Sequence, residues 1–160
     1  AVLEQDGTID KFIGDGLMAY FGAPLPDPDA ARKAVRAALA MLDRLSTLNR
    51  DWSSAGRPVM DIGIGIHAGE AVIGNVGSPK KMDYTAIGDT VNLASRIEGL
   101  TKRYRRSLIL SDAAFLEVRD WVEAEALGEA EIQGRKPVAV YAVTGLKAPR
   151  PNAVEEGICA

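Results

Sequence analysis

Cysteine is all but absent from this chain of 160 residues: the one present, Cys159, stands next to the last position. A disulfide framework within the chain is therefore excluded, and the composition fits a reducing compartment. Histidine is as scarce. His67 is the only one and has no partner Cys or His, so it reads as a structural residue rather than a metal ligand. No apolar run approaches the roughly 18 to 20 residues needed to span a bilayer. Basic charge is not in excess: the net charge is −3, which gives no electrostatic footprint for nucleic acid. The one basic cluster, Lys102 to Arg106, is interrupted by Tyr104 and reads as a solvated helix end. The start, Ala1 to Gly7, lacks the basic and apolar regions of a signal peptide and an initiator Met, so a piece of a longer, cytoplasmic protein is expected. The parent could still be membrane-attached.

What is present suits one globular core, with 47% hydrophobic and 26% charged residues. Residues 8–22, TIDKFIGDGLMAYFG, read as a β-hairpin turning at Gly14-Asp15-Gly16, since tight turns need residues that accept φ > 0. Asp6, in Gln5-Asp6-Gly7, reads as a second turn. Asp27-Pro28 predicts a helix start with Asp27 as N-cap. Ala31, Val35, Ala38, Leu42 and Leu45 form its apolar stripe, and the helix is expected to end near Asn49. From Met60, MDIGIGIHAG alternates strictly and predicts a half-buried strand. The glycines on its other face imply close approach by a backbone or a ligand. A second strand, residues 70–76, is expected to pair with it across Gly69.

After a loop over 77–81, Thr90 can cap a helix whose stripe is Leu93, Ile97, Leu100 and Tyr104. Leu108 to Leu110 predicts a short strand, Ser111 the cap of a helix to about Val118, and residues 122–127 and 138–143 the closing strands. The expected fold class is an α/β sandwich of the α+β kind, helices covering a largely antiparallel sheet, over residues 1–146. A loose tail follows over 147–160.

Several side chains in this frame suit a polyphosphate ligand. Asp15 is a carboxylate exposed at a tight tip, although turn chemistry alone would also place an Asp there. A hard cation such as Mg²⁺ prefers one or two protein carboxylates together with phosphate oxygens. Asn92 and Arg96, spaced by four, share a helix face distinct from the apolar stripe. The planar fork of Arg matches phosphate geometry. Arg135 and Lys136 follow Gly134 and add two cations.

The stretch Lys11-Phe12-Ile13-Gly14-Asp15-Gly16 resembles the metal-carboxylate hairpin of the class III adenylate and guanylate cyclases. Residues 83–96, DYTAIGDTVNLASR, resemble that family's central signature, and Ile64 to Gly69 with Gly74 to Gly77 its middle hairpin. The resemblance covers roughly residues 3–145. It implies the ferredoxin-like βαββαβ cyclase fold and a homodimer that makes cyclic AMP and pyrophosphate from ATP. Two divalent ions per site, Mg²⁺ or Mn²⁺, are implied as well. One would activate the ribose 3′-hydroxyl and the other would neutralise the triphosphate. By position, the resemblance makes Asp15 a metal ligand and Lys11 and Thr85 the readers of adenine. Asn92 would orient the ribose, Arg96 would stabilise the pentavalent phosphate, and Arg135, or Lys136 beside it, would grip the terminal phosphates.

A lysine donor suits N1 of adenine, whereas N1 of guanine carries a hydrogen, so ATP is expected over GTP. The family's first metal aspartate is expected on a strand upstream of Ala1, along with a regulatory domain, and this chain alone is expected to be inactive without that strand. A guanylate cyclase and a cyclase-fold module without catalysis are the competing readings.

Overall fold

The computed structural model describes residues 1–148. The segment expected as a loose tail lies almost wholly outside the described residues. Lys147, its first residue, is held: its backbone N–H donates to Trp121 O at 2.9 Å. Among the described residues eight strands and three α-helices follow one another, after a short 3₁₀ turn at Leu3–Gln5. β1 (Thr8–Ile13) and β2 (Gly16–Tyr20) form the expected hairpin, and Asp6 forms the expected turn with φ 55°. α1 (Ala30–Ser54) begins three residues after Asp27 and ends five after Asn49. Asp27 still accepts a hydrogen bond from the Asp29 N–H at 2.8 Å, so its side chain caps the turn that leads into the helix.

The structure corrects the expected middle hairpin. β3 is only Ile64–Ile66, and it pairs in parallel with β6 (Leu108–Ser111), not with the strand that follows it. β4 (Val72–Ser78) pairs instead with β5 (Lys81–Ile87). Met60 cannot open the strand because its backbone is already engaged. The Asn49 amide donates to Met60 O at 2.7 Å and accepts from Met60 N at 2.9 Å. β5 falls where no strand was expected, and the presumed loop 77–81 shrinks to a turn at Pro79 and Lys80.

α2 (Asp89–Tyr104) starts at an N-cap Gly88 with φ 138° rather than under a Thr90 cap. The Thr90 hydroxyl donates to Glu70 O instead, at 2.5 Å. α3 (Asp112–Val118) is capped as expected by Ser111, which accepts from the Ala114 N–H at 3.2 Å. β7 (Val122–Ala130) and β8 (Val138–Leu146) close the fold.

The largest sheet has the order β3-β6-β8-β7, antiparallel except for the β3–β6 pair, while β1-β2 and β4-β5 are separate two-stranded sheets. All four residues of β6 are buried, as in a strand covered on both faces. Leu108 and Leu110 pack with Val35 and Ala38 of α1 and with Val118, whereas Ile109 packs with Leu93, Ile97 and Leu100 of α2.

The expected close approach at the strand glycines is made by a helix backbone. A Cβ on Gly65 would lie 2.2 Å from the Glu98 amide nitrogen and 2.8 Å from Ala94 O. Gly65→Ala is expected to destabilise the domain by about 2–3 kcal/mol, since backbone cannot swing aside as a side chain can. Gly99→Ala, inside α2 with open space around it, is expected to stabilise by about 0.5–1 kcal/mol. Chemical denaturation of the two variants checks the opposite signs.

Candidate active site

The hairpin β1-β2 presents Lys11 and Asp15. Asp15 is exposed at the tip, beside Gly14 with φ 62°, a left-handed turn that favours glycine. Among the described residues Asp15 makes no hydrogen bond or ion pair. No three acidic, His or Cys side chains converge among the described residues to hold a metal by themselves. One free carboxylate still fits a hard cation that draws its other ligands from phosphate oxygens.

Lys11 and Thr85 come together through a residue that sequence reasoning missed. The β1–β2 register shifts between Ile9 and Lys11, leaving Asp10 as the extra residue of a bulge. The Asp10 side chain is 0% exposed, and its Oδ2 lies 3.5 Å from the Lys11 ammonium. Thr85 on β5, 5% exposed, donates its hydroxyl to the same Oδ2 at 2.8 Å. The other oxygen, Oδ1, is buried without a partner among the described residues, an arrangement that ordinarily costs about 1–3 kcal/mol. Strict alternation would have put residues 10 and 11 on opposite faces, so no sequence signal pointed to Asp10.

A second cluster forms on α2 and the loop between β7 and β8. Arg96 donates to the Gln133 carbonyl, and Arg135 pairs with Asp89 in the first turn of α2. Asn92 and Arg96 are both exposed, one helical turn apart, while Leu93, Ile97 and Leu100 are buried, as the stripe predicted. Lys136 is exposed and makes no hydrogen bond or ion pair among the described residues. Asp89 and Gln133 were not anticipated, because each meets its partner only through the packing of α2 against that loop.

No side-chain hydrogen bond or ion pair among the described residues joins the Lys11–Asp10–Thr85 set to the Arg96–Arg135 set. Around the first set, large apolar side chains lie bare: Phe12 is 75% exposed, Met82 59% and Tyr84 56%. Ile13, Val72 and Ile87 add to them. Exposed apolar side chains on two isolated hairpins are the mark of an interaction surface.

His67 makes a contact within the fold. Its Nδ1 lies 2.8 Å from Oγ of the fully buried Ser111. Burial first, then the nearby Arg135 charge, holds its pKa below the ordinary histidine value, against the opposite pull of Asp89. The basic cluster is likewise a helix end: Lys102 and Arg103 occupy the last turn of α2, and Arg106 pairs with Glu125 at 2.5 Å.

This combination of fold and residues has close counterparts among known proteins. The chain belongs to the adenylate and guanylate cyclase catalytic domain family, whose model matches residues 4–145. It is 41% identical over 146 residues to adenylate cyclase 1 of Rhizobium meliloti, covering 91% of this chain and 22% of that protein. It is 42% identical over 117 residues to the adenylate cyclase of Anabaena cylindrica, covering 71% of this chain and 22% of that protein. The chain thus spans about a fifth of the length of these relatives.

Among solved structures, the adenylyl cyclase CyaB from P. aeruginosa matches with a TM-score of 0.80 at 33% identity, over 89% of this chain and 74% of that one. The guanylyl cyclase Cya2 matches with a TM-score of 0.81, also at 33% identity, over 92% of this chain and 75% of that one. Among the described residues no helix is long and apolar enough to cross a membrane.

Proposed function

We propose that this domain converts ATP to 3′,5′-cyclic AMP and pyrophosphate at sites shared between two copies of the chain. The observation that carries the reading is the split of the site residues. Asp10 ties Lys11 to Thr85 across the two bare apolar hairpins, Arg96 and Arg135 are bonded to the β7–β8 loop and to α2, and no side-chain hydrogen bond or ion pair among the described residues joins the two groups; Asp15 stands at a hairpin tip and Asn92 on α2. A two-fold pairing would cover those hairpins and build two equivalent sites, each completed by the partner copy.

In such a site Lys11 donates to N1 of adenine and Thr85 accepts from its amino group. Asn92 orients the ribose for in-line attack of the 3′-oxygen on the α-phosphorus. Arg96 presents a fixed cation where charge develops on that phosphorus. Arg135, once released from Asp89, or the unpaired Lys136 beside it, holds the leaving pyrophosphate. Asp15 is the residue of this chain that would hold Mg²⁺ or Mn²⁺, and a bound divalent cation would supply charge neutralisation and a more acidic 3′-hydroxyl.

Because Cya2 is a guanylyl cyclase and matches as well as CyaB, GTP is the competing substrate. The pairing of Lys11 with a threonine acceptor favours ATP. A regulatory domain elsewhere in the full-length protein and a cytoplasmic setting for this domain belong to the same reading.

Complementation tests it. Full-length Asp15→Asn and Arg96→Ala proteins, each inactive alone, are mixed and assayed with ATP and GTP in Mg²⁺ or Mn²⁺. About a quarter of the unmodified activity is expected, because half the dimers would be mixed and each would hold one intact site of two. No recovery from demonstrably exchanged subunits, or turnover by a strictly monomeric protein, would overturn the shared site. A preference for GTP would overturn the substrate.

A further inference from the structure

We propose that Asp10 is a positioning residue for base selection: it commits the Thr85 hydroxyl to accepting from the nucleotide, and so enforces adenine over guanine. The inference rests on the base-reading roles proposed above for Lys11 and Thr85.

The bulge makes the arrangement possible. In a regular strand, residues 10 and 11 would point to opposite faces. With the register shifted between Ile9 and Lys11, both side chains reach one place, and a single carboxylate oxygen serves Lys11 at 3.5 Å and Thr85 at 2.8 Å. Among the described residues the Asp10 carboxylate has no other hydrogen-bond or ion-pair partner, and its Oδ1 bonds to none of them. Everything this buried carboxylate does is done to the two residues that read the base.

A threonine hydroxyl carries one hydrogen and two lone pairs. Two acceptors lie within reach of that hydrogen, Asp10 Oδ2 at 2.8 Å and Ala86 O at 3.3 Å. The shorter bond, to the carboxylate, is the stronger. An ionised carboxylate has no hydrogen to return, so the two groups cannot exchange roles. What Thr85 can offer a ligand is a lone pair. That complements the amino group of adenine, whereas guanine presents its O6 carbonyl at the corresponding edge and meets lone pair with lone pair. Without Asp10 the hydroxyl could rotate and donate to O6, and the same threonine would serve either base.

The test measures kcat/KM for ATP and for GTP in the full-length protein carrying Asp10→Ala, Asp10→Asn, Thr85→Val, Lys11→Ala, or Asp10→Ala with Thr85→Val. Asp10→Ala is expected to lower the ATP-to-GTP ratio about tenfold or more, chiefly by a gain on GTP, because the penalty on the wrong base is what Asp10 supplies. A merely structural role would lower both substrates alike and leave the ratio in place. Asp10→Asn keeps an oxygen able to accept from Thr85 and should recover part of the lost ratio. In the Thr85→Val background, Asp10→Ala should change the ratio no further.

An unchanged ratio in folded Asp10→Ala, while Thr85→Val does lower it, would overturn the role of Asp10 and leave the base contacts standing. A further full loss in the double variant would overturn the route through Thr85. A ratio that neither Thr85→Val nor Lys11→Ala moves would overturn the base contacts themselves. Thermal unfolding reports whether each variant folds. If Asp10→Ala does not, Asp10→Leu, which fills the same space, carries the same two outcomes.

Discussion

Arg96→Ala is expected to lower kcat with ATP by about 10²–10³-fold, the usual consequence of removing one preorganised group from developing charge. The KM for ATP should change much less. The difference follows from what the side chain meets along the reaction. On the role proposed for Arg96, the α-phosphate charge is shared with its neighbours in the ground state, and in the pentavalent state it grows where the guanidinium would stand. Binding energy realised only there appears in kcat.

The surroundings of Arg96 make the experiment clean. The residue is exposed on α2, and its one side-chain hydrogen bond among the described residues goes to the Gln133 carbonyl. Its loss should cost the fold no more than about 0.5 kcal/mol, as at other surface positions. Unfolding therefore cannot account for a loss of two or three decades. Arg96→Lys should fall between, since a point charge replaces a planar fork. Steady-state kinetics checks both, and equal losses in kcat and in ATP affinity would remove Arg96 from the transition state.

The second large effect is a reversal of base preference. Lys11→Glu combined with Thr85→Cys should convert a preference for ATP into one for GTP, a change in the ratio of about a hundredfold or more. The glutamate can accept from N1–H of guanine, where the lysine could not. The structure adds a cost. A carboxylate at position 11 would stand beside the buried Asp10, now 3.5 Å from the Lys11 ammonium, so an attraction becomes a repulsion.

Thr85→Cys also takes from Asp10 its one strong hydrogen bond, and a thiol is a poor substitute. Leaving such a group unsatisfied costs about 1–3 kcal/mol. The double variant should melt at a lower temperature than the unmodified protein, and Asp10→Asn should restore part of the loss by removing the repelling charge. Kinetics with both nucleotides and thermal unfolding of the same samples check the two halves. If the preference does not move, the base contacts are misassigned. If stability does not fall, the coupling through Asp10 is.

Much of the frame was legible because its signals are local. The Gly14-Asp15-Gly16 tip, the Ser111 cap and the stripe of α2 each depend on residues within three or four positions of one another. Their geometry follows from turn dihedrals, orphan N–H groups and the helical period. The strand from Met60 failed because alternation records faces and not partners. Asn49 takes both backbone groups of Met60, and nothing in the alternating pattern could reveal it. β5 escaped notice for a related reason: Met82, Tyr84 and Ile87 are exposed and only the adjacent Thr85 and Ala86 are buried, so the strand turns no alternating apolar face inward.

Composition and short-range pattern by themselves determined the absence of internal disulfides, the helices and the first hairpin. Through the ordered motifs they also determined the family. Only the tertiary structure decided that β3 pairs with β6, that Arg135 is held by Asp89, and that a bulge turns Asp10 toward both Lys11 and Thr85. The bond between Thr85 and Asp10 spans 75 positions. A contact so distant in sequence forms because the surfaces of whole elements pack together, and its partners leave no periodic trace along the chain.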